Sequence, residues 1–146
     1  MIGGIDLGTK KCGWAVINPK GDRVASGVWS QGPRELVLVL PSLIVAMVHV
    51  HGVTELAYEQ VAFHQSVAAG HAWGAMRACV VQAGNLVGLT PVGVNTATIK
   101  KAATGDGRAK KPMVVEAAAV RWGIHTRDED EAEALWTALT YLETRK

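Results

Sequence analysis

One charge stands alone in the first apolar segment of the chain. Ile2-Gly3-Gly4-Ile5-Asp6-Leu7 reads as a core strand, and Asp6 is its single ionisable side chain. A carboxylate in such a strand must be paired, neutralised or bound to a cation, because burial penalises the bare charge. Lys10 and Lys11, a short turn further on, could pair with it; a metal ion is the alternative. This strand needs a sheet beside it and a polar site at its end.

The segments that follow supply the sheet. Residues 14–18 and 23–29 read as two more strands, set off by Gly8-Thr9-Lys10 and Pro19-Lys20-Gly21-Asp22. Pro33 opens an apolar helix to about residue 50, with Gly52 past its end. Pro41 inside it predicts a kink. Leu36, Leu40, Leu43 and Met47 form a core stripe, while Val37, Val39 and Val45 on other faces predict partial cover. Residues 55–59 form a fourth strand, 60–66 a loop and 67–86 a long helix. Gly70, Gly74 and Ala78 recur every four residues there and admit a close helix, either from this chain or from a second copy. Residues 89–94 form a fifth strand, and Thr96 caps a short helix ending at Gly105. Pro112 begins a helix to Trp122, and Asp128 caps the last one, to about residue 143. The order predicts an α/β fold, a five-stranded mixed sheet flanked by helices.

Composition narrows the class. The 146 residues suit one domain, 1–146, and 49% hydrophobic against 19% charged residues excludes global disorder. Cys12 and Cys79 form no CxxC, which excludes a zinc ribbon or disulfide framework and suits a reducing cytoplasm. The start of the chain lacks the build of a signal peptide. The most apolar stretch, 36–50, contains Pro41 and falls short of the ~20 residues of a membrane span. These features predict a cytoplasmic protein with no membrane segment. No GxxxxGK[ST], GxGxxG, GxSxG or HExxH occurs, and the five histidines form no ligand spacing.

Charge is distributed unevenly. Lys100, Lys101, Arg108, Lys110 and Lys111 crowd one segment, with Asp106 the only acid among them. Asp128, Glu129, Asp130, Glu131 and Glu133 crowd another. Two solvated patches would explain this; so would an enzyme whose acids hold cations and whose bases hold a polyanion. Glu59 closes the strand of Leu56, Ala57 and Tyr58, where α/β folds place their sites. Asp130 and Glu133, spaced i and i+3, share a helix face beside small alanines. Asp128 with Glu131 resembles a capping box, so Asp128, Glu129 and Glu131 read as structural or solvated. Asp6, Glu59, Asp130 and Glu133 remain as oxygen donors, a set that favours hard cations such as Mg²⁺ or Mn²⁺.

These residues resemble a known family. Gly4-Ile5-Asp6-Leu7-Gly8-Thr9 followed by Gly13-Trp14-Ala15-Val16-Ile17 is similar to the first two strands of the RNase H-like superfamily. Actin-like and Hsp70-type ATPases share that opening but need a far longer, two-lobed chain. Tyr58-Glu59-Gln60-Val61, the run from Thr98 to Val114, and Asp130-Glu131-Ala132-Glu133-Ala134-Leu135 resemble RuvC-type Holliday-junction resolvases, in family order. The family's last acid is usually Asp where Glu133 stands here. Its aromatic after Glu-Gln-Val is replaced by Ala62, with Phe63 one place later.

The resemblance implies an RNase H-like nuclease that resolves four-way DNA junctions by paired nicks. Asp6, Glu59, Asp130 and Glu133 would hold two Mg²⁺ ions per subunit, with Mn²⁺ as a substitute. Lys100 and Lys111 would steady charge at the reacting phosphate, and Lys101, Arg108 and Lys110 would grip the DNA backbone, with Phe63 a further DNA contact. It also implies a homodimer matched to the two-fold junction, leaves room for a branch-migration motor as partner, and makes the glycine-bearing helix a candidate seam. A nuclease for other branched DNA or RNA, or a non-catalytic junction-binding protein, are the alternatives.

Overall fold

A computed structural model describes residues 1–125 and 128–145, with only the backbone considered at 33 and 34. The elements run β1 (Ile2–Asp6), β2 (Lys11–Ile17), β3 (Arg23–Ser30), α1 (Pro33–His51), β4 (Glu55–Gln60), α2 (Val67–Leu86), β5 (Val92–Asn95), α3 (Thr96–Thr104), α4 (Lys111–Trp122) and α5 (Glu129–Thr144). The sheet order is β3-β2-β1-β4-β5. β1–β2 and β2–β3 pair antiparallel, β1–β4 and β4–β5 parallel, so the sheet is mixed, as the order of segments predicts.

Strand alternation divides the interior in two. Ile2, Ala15, Ile17, Ala57 and Val94 face α3, α4 and α5, joining Ile99, Val114, Ala118, Leu135 and Leu139. Ile5, Cys12, Val16, Leu56 and Tyr58 face α1 and α2, against Leu36, Leu40, Ile44, Met76 and Val80. Asp6 shares the parity of Ile2, and Glu59 that of Ala57, so both project toward α5. Parallel pairing of Ile2 with Glu55 through Ile5 with Tyr58 sets Asp6 beside Glu59 at the C-terminal ends of neighbouring strands.

α5 crosses the sheet closely because the sequence leaves room for it. A Cβ on Gly4 would run into the Ala134 carbonyl and Ala138, and one on Gly13 into the Asp130 carbonyl. The small residues therefore let the backbone of α5 lie almost against β1 and β2.

Some boundaries differ from expectation. α1 is one helix with Pro41 inside it and closes, as expected, on Gly52, whose φ of +62° suits glycine; the differences lie further along the chain. The fifth strand begins at Val92, since α2 closes through Leu89 N–H donating to the Gly84 carbonyl and a turn at Gly88. Asn95, one residue before Thr96, caps α3 by accepting from the Ala97 N–H at 2.8 Å. No described helix is long and apolar enough to cross a membrane.

Candidate metal centre

Asp6 from β1, Glu59 from β4 and Glu133 from α5 converge. One carboxylate oxygen of each lies within 4.8 Å of the others, and all three residues are buried. They lie on three elements because strand parity aims the first two at α5, and the close crossing brings Glu133 over them.

The electrostatics are those of an unbalanced acid pocket. Burial pushes the Asp6 carboxyl well above the usual range, and the Glu59 charge, a hydrogen bond to Glu59, and Glu133 and Asp130 add to the effect. Burial also raises Glu133, with Glu59 adding to it and Lys111 and a hydrogen bond to Asp6 working against it. Acids this close resist ionising together unless positive charge enters.

Two lysines stand at the edges of the pocket. Lys111, in the first turn of α4, has its ammonium 3.5 Å from Glu133 and 3.6 Å from Glu129. Burial would lower its pKa, but Glu133, Asp6, Glu129 and Asp130 outweigh that and hold it above the ordinary lysine value. Lys11 opens β2 and lies 2.9 Å from Asp128 and 3.2 Å from Asp130. Among the described residues no ion pair joins Lys10 or Lys11 to Asp6, so the pairing open to those lysines in the sequence goes elsewhere.

Asp130 lines the same cavity as Asp6, Glu59 and Glu133, together with Lys100 and Lys111. Its ligand atoms nevertheless fall outside the three-acid cluster, turned toward Lys11. The other acids of that helix start have separate work. Asp128 caps α5 by accepting from the Asp130 N–H at 3.0 Å. Glu131 does not close a capping box: it accepts from the Ser26 hydroxyl at 2.6 Å and pairs with Arg23 at 3.8 Å, tying α5 to β3.

The basic residues separate into two groups. Lys100 and Lys111 line the cavity, whereas Lys101, Arg108 and Lys110 are exposed on α3 and the segment after it. Phe63, 92% exposed, lines an adjoining groove with Val61, Lys100 and Gly107. On α2 the buried face is Met76, Cys79, Val80, Ala83 and Gly84; Gly74 meets open space and Ala78 is exposed. The Gly70/Gly74/Ala78 stripe therefore makes no close helix contact within the described residues. His51 stacks on Trp14 with ring centroids 5.9 Å apart, and His64 packs at a tilt against Trp73 at 5.3 Å.

Comparison with known proteins gives the family. The sequence model of the family described as crossover junction endodeoxyribonuclease RuvC matches residues 2–141. The chain belongs to the RuvC family. A crossover junction endodeoxyribonuclease RuvC from Anaeromyxobacter sp. (strain Fw109-5) is 32% identical over 149 residues, covering 97% of this chain and 72% of that protein. One from Heliobacterium modesticaldum is 27% identical, covering 95% and 91%. Among solved structures, T. thermophilus RuvC in complex with a Holliday junction substrate superposes with a TM-score of 0.82 at 22% identity, covering 96% of this chain and 91% of that one. The fowlpox virus resolvase in complex with Holliday junction DNA superposes at 0.65 with 12% identity, covering 99% of each chain. These likenesses identify the fold as the five-stranded RuvC, RNase H-like one, and the relatives' names make this RuvC-family chain a nuclease.

The residue sequence reasoning undervalued is Lys11. Its partner Asp128 lies 117 residues away, and no local pattern announces so distant a contact.

Proposed function

We propose that this chain, as one nuclease domain over 1–146, hydrolyses phosphodiesters at four-way DNA junctions in the cytoplasm, with paired cations held by Asp6, Glu59, Asp130 and Glu133. The observation that carries this is the convergence of Asp6, Glu59 and Glu133, buried with carboxylate oxygens within 4.8 Å of one another. An all-carboxylate donor set without Cys or His suits Mg²⁺, or Mn²⁺ in its place, and such ions would turn a repulsive pocket into one that accepts a phosphate. When bound, two such ions supply Lewis acidity that activates water and neutralises charge building at the scissile phosphate.

The chain's own residues do the rest. Asp6 and Glu59, fixed on adjacent strand ends, set the place of reaction, and Glu133 closes it from above. Lys111 and Lys100, lining the cavity, meet the non-bridging oxygens of the reacting phosphate as its charge rises. Lys101, Arg108 and Lys110 hold backbone phosphates on either side, an attraction that weakens with salt. Phe63, exposed beside that cavity, stacks against a base at the branch point. Two copies related by a two-fold axis act on the two-fold junction, joined through the exposed α2 face that carries Gly70, Gly74 and Ala78.

The test is a synthetic mobile four-way junction incubated with the protein and Mg²⁺, beside three-way, flap and RNA substrates. Symmetric paired nicks on the four-way DNA, absent with EDTA, are expected. Preferential cutting of another substrate, or cutting that persists without a divalent ion, contradicts the proposal.

A further inference from the structure

We propose that Lys11 is a positioning residue for the acid cluster: in the metal-free protein its ammonium keeps Asp130 apart from Asp6, Glu59 and Glu133, and releases it when a divalent cation enters. This rests on the reading of the cluster as a cation site.

Three observations carry it. Asp130 lines the cavity of the other acids, yet its carboxylate is directed to Lys11 Nζ at 3.2 Å. Asp130 Oδ2 is buried, and its one described polar partner is the Lys11 ammonium, which meets it as an ion pair with poor hydrogen-bond alignment. A buried oxygen in that condition is a ligand atom in waiting. Finally, the Asp130 backbone is pinned, since its carbonyl fills the space where a Cβ on Gly13 would stand. Only the side chain can travel.

Lys11 is built to allow that travel. Its side chain is 46% exposed, and it holds Asp128 at 2.9 Å, so it keeps an anchor after Asp130 leaves. Asp128 in turn caps α5 through the Asp130 N–H. The exchange therefore costs no unfolding of the helix start. A divalent ion and the Lys11 ammonium compete for one carboxylate, and the lysine weakens metal binding by the strength of its hold. Lys111 differs, because its buried partner Glu133 already belongs to the three-acid cluster and its other partner, Glu129, is a half-exposed acid that does not line the cavity.

The experiment measures Mn²⁺ uptake at constant pH by the electron paramagnetic resonance of the free ion. Wild type, Lys11→Met, Lys11→Gln, Lys11→Arg and Lys10→Met are compared, with circular dichroism confirming the fold of each. Lys11→Met should bind Mn²⁺ about tenfold more tightly, since an adjacent competing charge is gone. Lys11→Gln, which keeps a polar side chain on β2, should move the same way and serves if the Met variant does not fold. Lys11→Arg restores the ion pair, and Lys10→Met removes a nearby charge without touching Asp130, so both should stay within about twofold of wild type. Equal or weaker binding in Lys11→Met and Lys11→Gln, or an equal gain in Lys10→Met, overturns the role of Lys11. No Mn²⁺ uptake by any protein overturns instead the reading of the acids as a cation site.

Discussion

The two faces of the sheet are packed by different means. On the α1/α2 face, long aliphatic side chains (Leu36, Leu40, Ile44, Val80) and Met76 fill the space between backbone layers. On the α5 face, Gly4 and Gly13 meet the backbone of Ala134 and Asp130 with nothing between. Side-chain packing stabilises but tolerates adjustment, because rotamers can shift to absorb a small error. Backbone-to-backbone packing has no such slack, and it fixes where the first turns of α5 present their carboxylates. The site thus sits on the face whose geometry is set by missing side chains.

Mutations on the two faces should separate these roles, and the largest effect belongs to the acid cluster itself. Asp6→Asn should lower Mg²⁺-dependent nicking by at least about a hundredfold while junction binding in a gel-shift assay survives. The same variant should melt higher than wild type in EDTA, since it removes one of the crowded charges. Substantial residual nicking would place Asp6 outside the reacting centre.

Next comes the aliphatic face. Leu40→Ala leaves a cavity in a fully buried position and should cost about 2–5 kcal/mol in chemical denaturation, with nicking by the folded fraction close to wild type. Gly13→Ala should cost at least as much stability, about 3 kcal/mol or more, and in addition lose most nicking in the folded fraction, because the added Cβ meets the Asp130 backbone and pushes the start of α5 outward. Equal losses of nicking in both variants would erase the contrast between the faces.

The smallest effect is on the pH dependence of stability. Asp6 and Glu133 have folded pKa values above their ordinary ones of 3.8 and 4.5. The folded state therefore binds more protons than the unfolded one above those values, and its stability falls as pH rises toward the raised pKa values. Melting temperature in EDTA should decline from about pH 4 upward on this account, and Mg²⁺ should recover more of it at pH 8 than at pH 5. In Asp6→Asn the decline should flatten, and an unchanged slope would remove Asp6 as its source.

Much of this arrangement was readable from the chain. A lone acid in an apolar strand, another at the end of the fourth segment and an i, i+3 pair on the last helix marked the four carboxylates, and three of them do meet. The succession of strands and helices, and the mixed five-stranded sheet, followed from the apolar segments and turns. What could not be read was which partner each charge takes. Glu131 matched a capping box locally but is drawn to Ser26 and Arg23, and Lys11 passes over the nearby Asp6 for Asp128 and Asp130. Both choices depend on how closely α5 settles on β2 and β3, a tertiary distance that no local pattern carries. The cap of α3 moved by one residue for a simpler reason: Asn95 offers as good an acceptor as Thr96.

Crystals soaked in Mn²⁺ and measured at the manganese absorption edge test the central claim most directly. Anomalous peaks bounded by Asp6, Glu59 and Glu133, with Asp130 swung in from Lys11, are the predicted result. Manganese bound elsewhere while those three carboxylates stay bare at saturating concentration would contradict it.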